Sequence, residues 1–92
     1  MGASGTATIN FGSGGHSASV DVTGQGSIVS GSAAEAWLMA ETSADHNAEE
    51  HALVGALAQL SCGNIVASTG FTIYGRSTIT LSGQFTVRWV WN

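Results

Sequence analysis

Residues 84–92 read Gln-Phe-Thr-Val-Arg-Trp-Val-Trp-Asn, and their alternation decides the fold class. Phe85, Val87, Trp89 and Trp91 fall on one side, with Gln84, Thr86, Arg88 and Val90 on the other. Side chains on a strand alternate between two faces, so a period of two describes a half-buried strand. β-Branched and aromatic residues suit that pleated surface. An apolar strand face of this kind must be paired and covered, by the chain itself or by a neighbour. Just before it, Ser82-Gly83 is a candidate two-residue hairpin turn. Residues 78–81 place Ile79 and Leu81 together, and residues 71–75 place Phe71 and Ile73 together, which predicts two further short strands.

The N-terminal half repeats the pattern. Residues 6–11 put Ala7, Ile9 and Phe11 on one face, and residues 17–22 do the same with Ala18, Val20 and Val22. The run Gly12-Ser-Gly-Gly15 between them reads as a turn. Residues 27–30 are a short strand candidate around Ile28 and Val29, and residues 35–41 another, with Trp37 and Met39 on the same side. The middle carries two patterns at once. Leu53, Ala56, Leu57 and Leu60 fit a helical period, whereas Val54, Ala56, Ala58, Leu60 and Cys62 alternate. A short helix near residues 47–53 is expected, and residues 54–66 are open between helix and strand, with strand favoured from about Ala56. The expected fold is one all-β domain over residues 1–92. It is a mainly antiparallel β-sandwich, of which a jelly roll is one form, with one short helix.

Charge is scarce. Charged residues make up 9% of the 92, there is no Lys, and the formal net charge is -4. A nucleic-acid partner would need a cationic footprint, and the cations are Arg76 and Arg88 alone. A membrane partner is not expected either, because no run of about 18 apolar residues occurs. The first residues show neither the cationic nor the apolar region of a signal peptide. Gly, Ala, Ser and Thr together supply 47 of the 92 residues. A soluble monomer usually spreads both charge signs over its surface. A chain that lacks them can cover its surface with copies of itself. Five acids, Glu35, Glu41, Asp45, Glu49 and Glu50, cluster in the middle, whereas both arginines lie in the C-terminal part. Glu41, Asp45, Glu49, Glu50, Arg76 and Arg88 are therefore candidate charge contacts between subunits. Phe85, Val87, Trp89, Trp91 and Trp37 are candidates for the core or for an oligomer interface.

The densest group of metal-capable residues is Asp45-His-Asn-Ala-Glu-Glu-His51. His46 and His51 stand five apart, about 140° round a helix, so they do not share a face as zincin ligands do. His46, Glu50 and His51 are the candidate ligands, against a plain reading as a polar helix start. No cofactor is expected. Cys62 reads as a small core residue. The glycine run before His16 lacks the Lys and the helix of a phosphate cradle. Trp37, Trp89, Trp91 and Tyr74 could form a carbohydrate platform, with Tyr74 the best candidate for an exposed ring.

The stretches EAWLMAETSADHNAEEHA, FTIYG and GQFTVRWVW resemble small virion-associated proteins of tailed bacteriophages and prophages. Residues 35–51 and 83–90 carry that resemblance. It implies a role in the tail or head-decoration region of a virion assembled in a bacterial cytoplasm, and it transfers no catalytic residue. The expected function is thus a non-enzymatic structural protein that forms a homo-oligomer, with a trimer favoured and other virion proteins as further partners. The alternative is a small β-sandwich module that binds a glycan or other ligand. A hydrolase or metal enzyme built on the His and acid turn is a third reading.

Overall fold

The computed structural model describes residues 2–39, 41–44 and 46–92. Its elements are β1 (Ala3–Asn10), β2 (Gly15–Val22), β3 (Ala34–Trp37), α1 (Ala48–Leu57), β4 (Ala58–Val66), β5 (Gly70–Leu81) and β6 (Gln84–Trp91). They form two antiparallel three-stranded sheets, ordered β1-β6-β3 and β2-β5-β4. The pairing is nested, first strand with last and second with fifth. This is the wrap of a jelly roll, with six strands in place of eight.

The strand that decided the fold class sits at the centre of its sheet. Phe85, Val87, Trp89 and Trp91 are 0–6% exposed. They face Val22, Phe71, Ile73 and Leu81 of the second sheet, and the Phe71 ring meets the Trp89 ring edge-on at 5.5 Å. The aromatic stripe is therefore covered by the chain's own second sheet. Small residues make room for it. In register with Trp91 stand Ala3 and Ala34, and in register with Trp89 stand Gly5 and Ala36. A Cβ on Gly5 would come within 2.5 Å of Trp89 Cζ2. This packing reverses the expected orientation of β3. Ala34, Ala36 and Leu38 turn towards the core, while Trp37 and Met39 are 38% and 46% exposed. Trp37 is thus not a core residue, because the space inside is already filled by two indoles.

Three further strand expectations change. Residues 27–30 are turn and loop, yet Ile28 is 1% exposed and plugs the core from that loop. Residues 71–75 and 78–81 belong to one twelve-residue strand, β5. β3 stops at Trp37 rather than running to residue 41. The turn at Ser82-Gly83 is as expected, with Gly83 at φ +76°, a conformation most residues avoid. It interlocks with the first turn: Phe11 N–H donates to Gly83 O and Gly83 N–H to Gly12 O, both at 2.9 Å.

The ambiguous middle divides at Ala58. The helix runs four residues beyond the expected end, through Gly55, and β4 follows without a loop. Asn47 starts the helix with a capping box: its Oδ1 accepts from Glu50 N–H, and its own N–H donates to Glu50 Oε1, each at 2.9 Å. Glu49 and Glu50 in the first turn also suit the positive end of the helix dipole. Val54 is 6% exposed and anchors the helix to the core. Gly55 lies against Leu38, whose Cβ and carbonyl oxygen would be 3.5 Å from an added Cβ. Among the described residues no helix is long and apolar enough to cross a membrane.

Candidate functional site

The His and acid turn is the one constellation that the sequence offered for chemistry, and its geometry begins where β3 ends. β6 has β1 along one side for its full length, but β3 covers only the stretch from Arg88 to Trp91 on the other. Beyond Trp37, side chains take over from the missing strand. Ser43 Oγ donates to Gln84 O at 2.6 Å, and Thr86 Oγ1 donates to Thr42 O at 2.9 Å. Thr86 N–H donates to His51 Nε2 at 2.9 Å. A ring nitrogen that accepts carries no proton, so His51 is neutral here. Its proton sits on Nδ1, which donates to Asn47 O at 3.0 Å. His51 is 0% exposed and packs edge-on against Phe85. It works as a structural brace, and the reading of this turn as merely polar surface fails at this residue. The helical pattern of Leu53, Ala56, Leu57 and Leu60 points elsewhere: Leu53 and Leu57 are exposed, and the buried side is that of His51 and Val54, three residues apart.

His46 lies over the same ring, stacked on Phe85 at 4.0 Å. Its Nε2–H donates to Ser82 O at 2.6 Å. Its Nδ1 is 3.4 Å from Glu50 Oε2, close enough for an ion pair if the ring is charged, but without hydrogen-bond geometry. The Asn47 N–H, and secondarily His46, hold the Glu50 carboxyl below its ordinary value of 4.5. The three candidate metal ligands therefore do not point at a common centre. Both nitrogens of His51 are engaged, and Glu50 is committed to the cap. Among the described residues no group of three or more His, Cys, Asp or Glu side chains comes together. Asp45 lies outside the described residues.

The candidate charge contacts part company. Glu41 and Arg88 bond each other within one chain: Arg88 Nε donates to Oε2 at 3.0 Å and Arg88 NH2 to Oε1 at 2.7 Å. That fork is geometrically demanding and leaves neither group as an open charge for a neighbour. The Arg88 bond holds the Glu41 carboxyl below its ordinary value, and Glu41 in turn raises Arg88. Glu49 and Arg76 are exposed, with no hydrogen bond or ion pair among the described residues. Burial, and then the charge of Glu35, push the Cys62 thiol up, which disfavours the thiolate that a nucleophile needs.

Two shallow depressions lie on the outer faces of the sheets. Ser4, Thr6, Trp37 and Arg88 line one of about 350 Å³ on the β1-β6-β3 sheet. Ser17, Ser19, Tyr74 and Arg76 line another of about 280 Å³ on the opposite sheet. Tyr74 is 42% exposed, as the sequence suggested. Beside it runs a polar row that the sequence reading missed: Asn64 Nδ2 donates to Thr72 Oγ1, which donates to Asp21 Oδ1 at 2.8 Å. Thr72 is almost fully buried, and its partners come from two other strands, Asn64 from β4 and Asp21 from β2, so no pattern within one strand announces the row. No family model matches the chain, and comparison with curated proteins and with solved structures finds no similar protein either.

Proposed function

We propose that the chain is a non-enzymatic assembly protein that associates with copies of itself. The virion setting comes from the sequence resemblance. One observation about the surface carries the self-association. Among the described residues eight large apolar side chains are exposed, Val29, Trp37, Met39, Leu53, Val66 and Ile79 among them. Among the described residues only Glu35, Glu49 and Arg76 are charged side chains without a hydrogen bond or ion pair. Apolar exposure in excess of free charge is unfavourable for a protein that stays alone in water. The aromatic stripe of β6 does not contribute to this argument, since it is buried within the chain. Light scattering coupled to size exclusion is the test. A mass of at least twice 9.3 kDa at micromolar concentration is expected. A monodisperse 9.3 kDa particle would overturn the reading.

A second reading, a ligand-binding module, has the Trp37 depression in its favour. An exposed indole beside hydroxyls and a charge-compensated arginine suits a neutral sugar ring. Of the three tryptophans only Trp37 is substantially exposed, so its fluorescence would report directly on added oligosaccharides. No change at millimolar sugar removes this reading.

A further inference from the structure

We infer that two copies join through the open edge of β1, antiparallel about a twofold axis centred on Thr6, so that the two β1-β6-β3 sheets run on into one another. The inference rests on the self-association reading and adds to it the surface and the register.

The direction of the backbone groups follows from β6. Thr86 N–H bonds His51, Gln84 O accepts from Ser43, and Asn92 bonds Ala33 through both backbone groups. Even-numbered residues of β6 thus point away from β1, and odd-numbered ones point towards it. Ala3, Gly5, Ala7 and Ile9 stand opposite those odd residues. The N–H and C=O groups of Ser4, Thr6 and Thr8 therefore face outward along the free edge, where a strand can be added.

Comparison of the four sheet edges selects this one. A twofold axis sets an edge against itself, so any charge on it meets its own copy. β2 would bring Asp21 near its like and β3 would bring Glu35, whereas β1 carries no charge at all. β3 is four residues long. The registers of β2 and β4 are broken, between Gly15 and Ser17 and between Gly63 and Val66. β1 keeps eight pairs in unbroken register and contains no Pro. Short length, charge and bulges are the usual guards of an edge, and β1 alone has none of them. A ring of three made by strand pairing would need β1 to meet one of the guarded edges, so self-pairing is preferred over the trimer expectation. Centring on Thr6 puts Thr6 opposite Thr6 and Ser4 opposite Thr8 of the second copy. Their exposed hydroxyl-bearing side chains then form one ladder of cross-strand pairs.

The test uses three variants of the full chain. Thr6→Pro removes an outward N–H while leaving the β1–β6 bonds intact, since Thr6 does not point at β6. Thr6→Lys keeps the backbone and places like charges at the axis. Thr6→Cys in a Cys62→Ser background should cross-link to itself, because cross-strand Cα separations lie within disulfide range. Expected are a dimer dissociation constant at least about ten-fold higher for the first two, and an oxidant-dependent covalent dimer for the third. Circular dichroism identifies any variant that fails to fold. If Thr6→Pro unfolds, Thr6→Lys and Thr6→Cys decide. A wild-type monomer overturns both the inference and the assembly reading. An oligomer that survives Thr6→Lys and yields no cross-link overturns the β1 interface alone.

Discussion

The two flanks of β6 are held in different ways. On one side β1 runs beside it through eight residue pairs in a single register. On the other, β3 supplies four pairs, and then Glu41, Thr42, Ser43, His46 and His51 reach the strand, or the turn before it, one bond at a time. A backbone ladder asks only for an N–H and a C=O, so most exposed side chains can change without loss. A side-chain brace asks for a particular group at a particular place. The two flanks should therefore differ sharply in their tolerance of mutation.

The largest contrast is at one height of the sheet. His51→Ala should cost about 3–5 kcal/mol, because it empties an aromatic-sized space and strands the Thr86 N–H. Thr8→Ala, on the residue opposite Thr86 along the other flank, should stay within about 0.5 kcal/mol. Urea unfolding of both variants measures the difference, and equal losses would contradict the brace.

The ladder flank has its own weak point in Gly5. Gly5→Val drives a side chain into the Trp89 ring and should cost about 1–3 kcal/mol, visible as a lower urea midpoint. Gly12→Ala offers no comparable clash, since nothing lies within 4 Å of its added Cβ, but it puts a side chain at φ +70°.

Smaller still is the acid response of the braced flank. The Arg88 bond holds Glu41 below its ordinary 4.5, and the Asn47 N–H does the same for Glu50. A carboxyl lowered by folding adds stability above its unfolded value, and this is lost as pH falls through the folded value. These two carboxyls should therefore add a fall in melting temperature as pH drops below about 4.5. Asn47→Ala should cost about 1 kcal/mol at neutral pH through the lost side-chain cap, while the acid fall keeps its shape, because the backbone N–H that lowers Glu50 remains.

The smallest effect has the opposite sign. Gly55 sits in the helix with only ordinary contact distances around an added Cβ. Gly55→Ala should raise stability by up to about 1 kcal/mol, read from the same urea curves. A loss instead would show that Leu38 cannot yield at all.

The same contrast explains what could be read in the residues. Alternation in β1, β2 and β6 gave the sandwich, since every second residue repeats one simple rule, being apolar on the covered side. β3 broke that rule because its inward positions had to be small beside Trp89 and Trp91, so the larger Trp37 was assigned to the wrong side. Periodicity cannot tell that an alanine faces inward for lack of room. The division at Ala58 was hidden because residues 53–60 satisfy both periods, and the capping box at Asn47 fixes only where the helix begins. The braced site was half legible. His46, Glu50 and His51 stood out as a cluster, but the partners Ser82 and Thr86 lie on a distant turn and strand. The bond from Glu41 to Arg88 spans much of the chain, and a charge pattern along the sequence could not say whether the two would meet at home or across subunits.

The nested order has a consequence in time. β1 is synthesised long before β6, its only partner in the first sheet, and β2 likewise waits for β5. Loop closure over such separations is entropically costly, and chains built on distant pairings are slow to fold. While it waits, β1 has neither of its sides occupied, so a nascent chain is more adhesive than the finished one. Yet Ala3 and Trp91 end up as neighbours. Joining the two ends with a short linker and opening the chain in the loop between β2 and β3 would turn the most distant pairing into a hairpin. Such a rearranged chain should keep the same native contacts and reach them considerably faster.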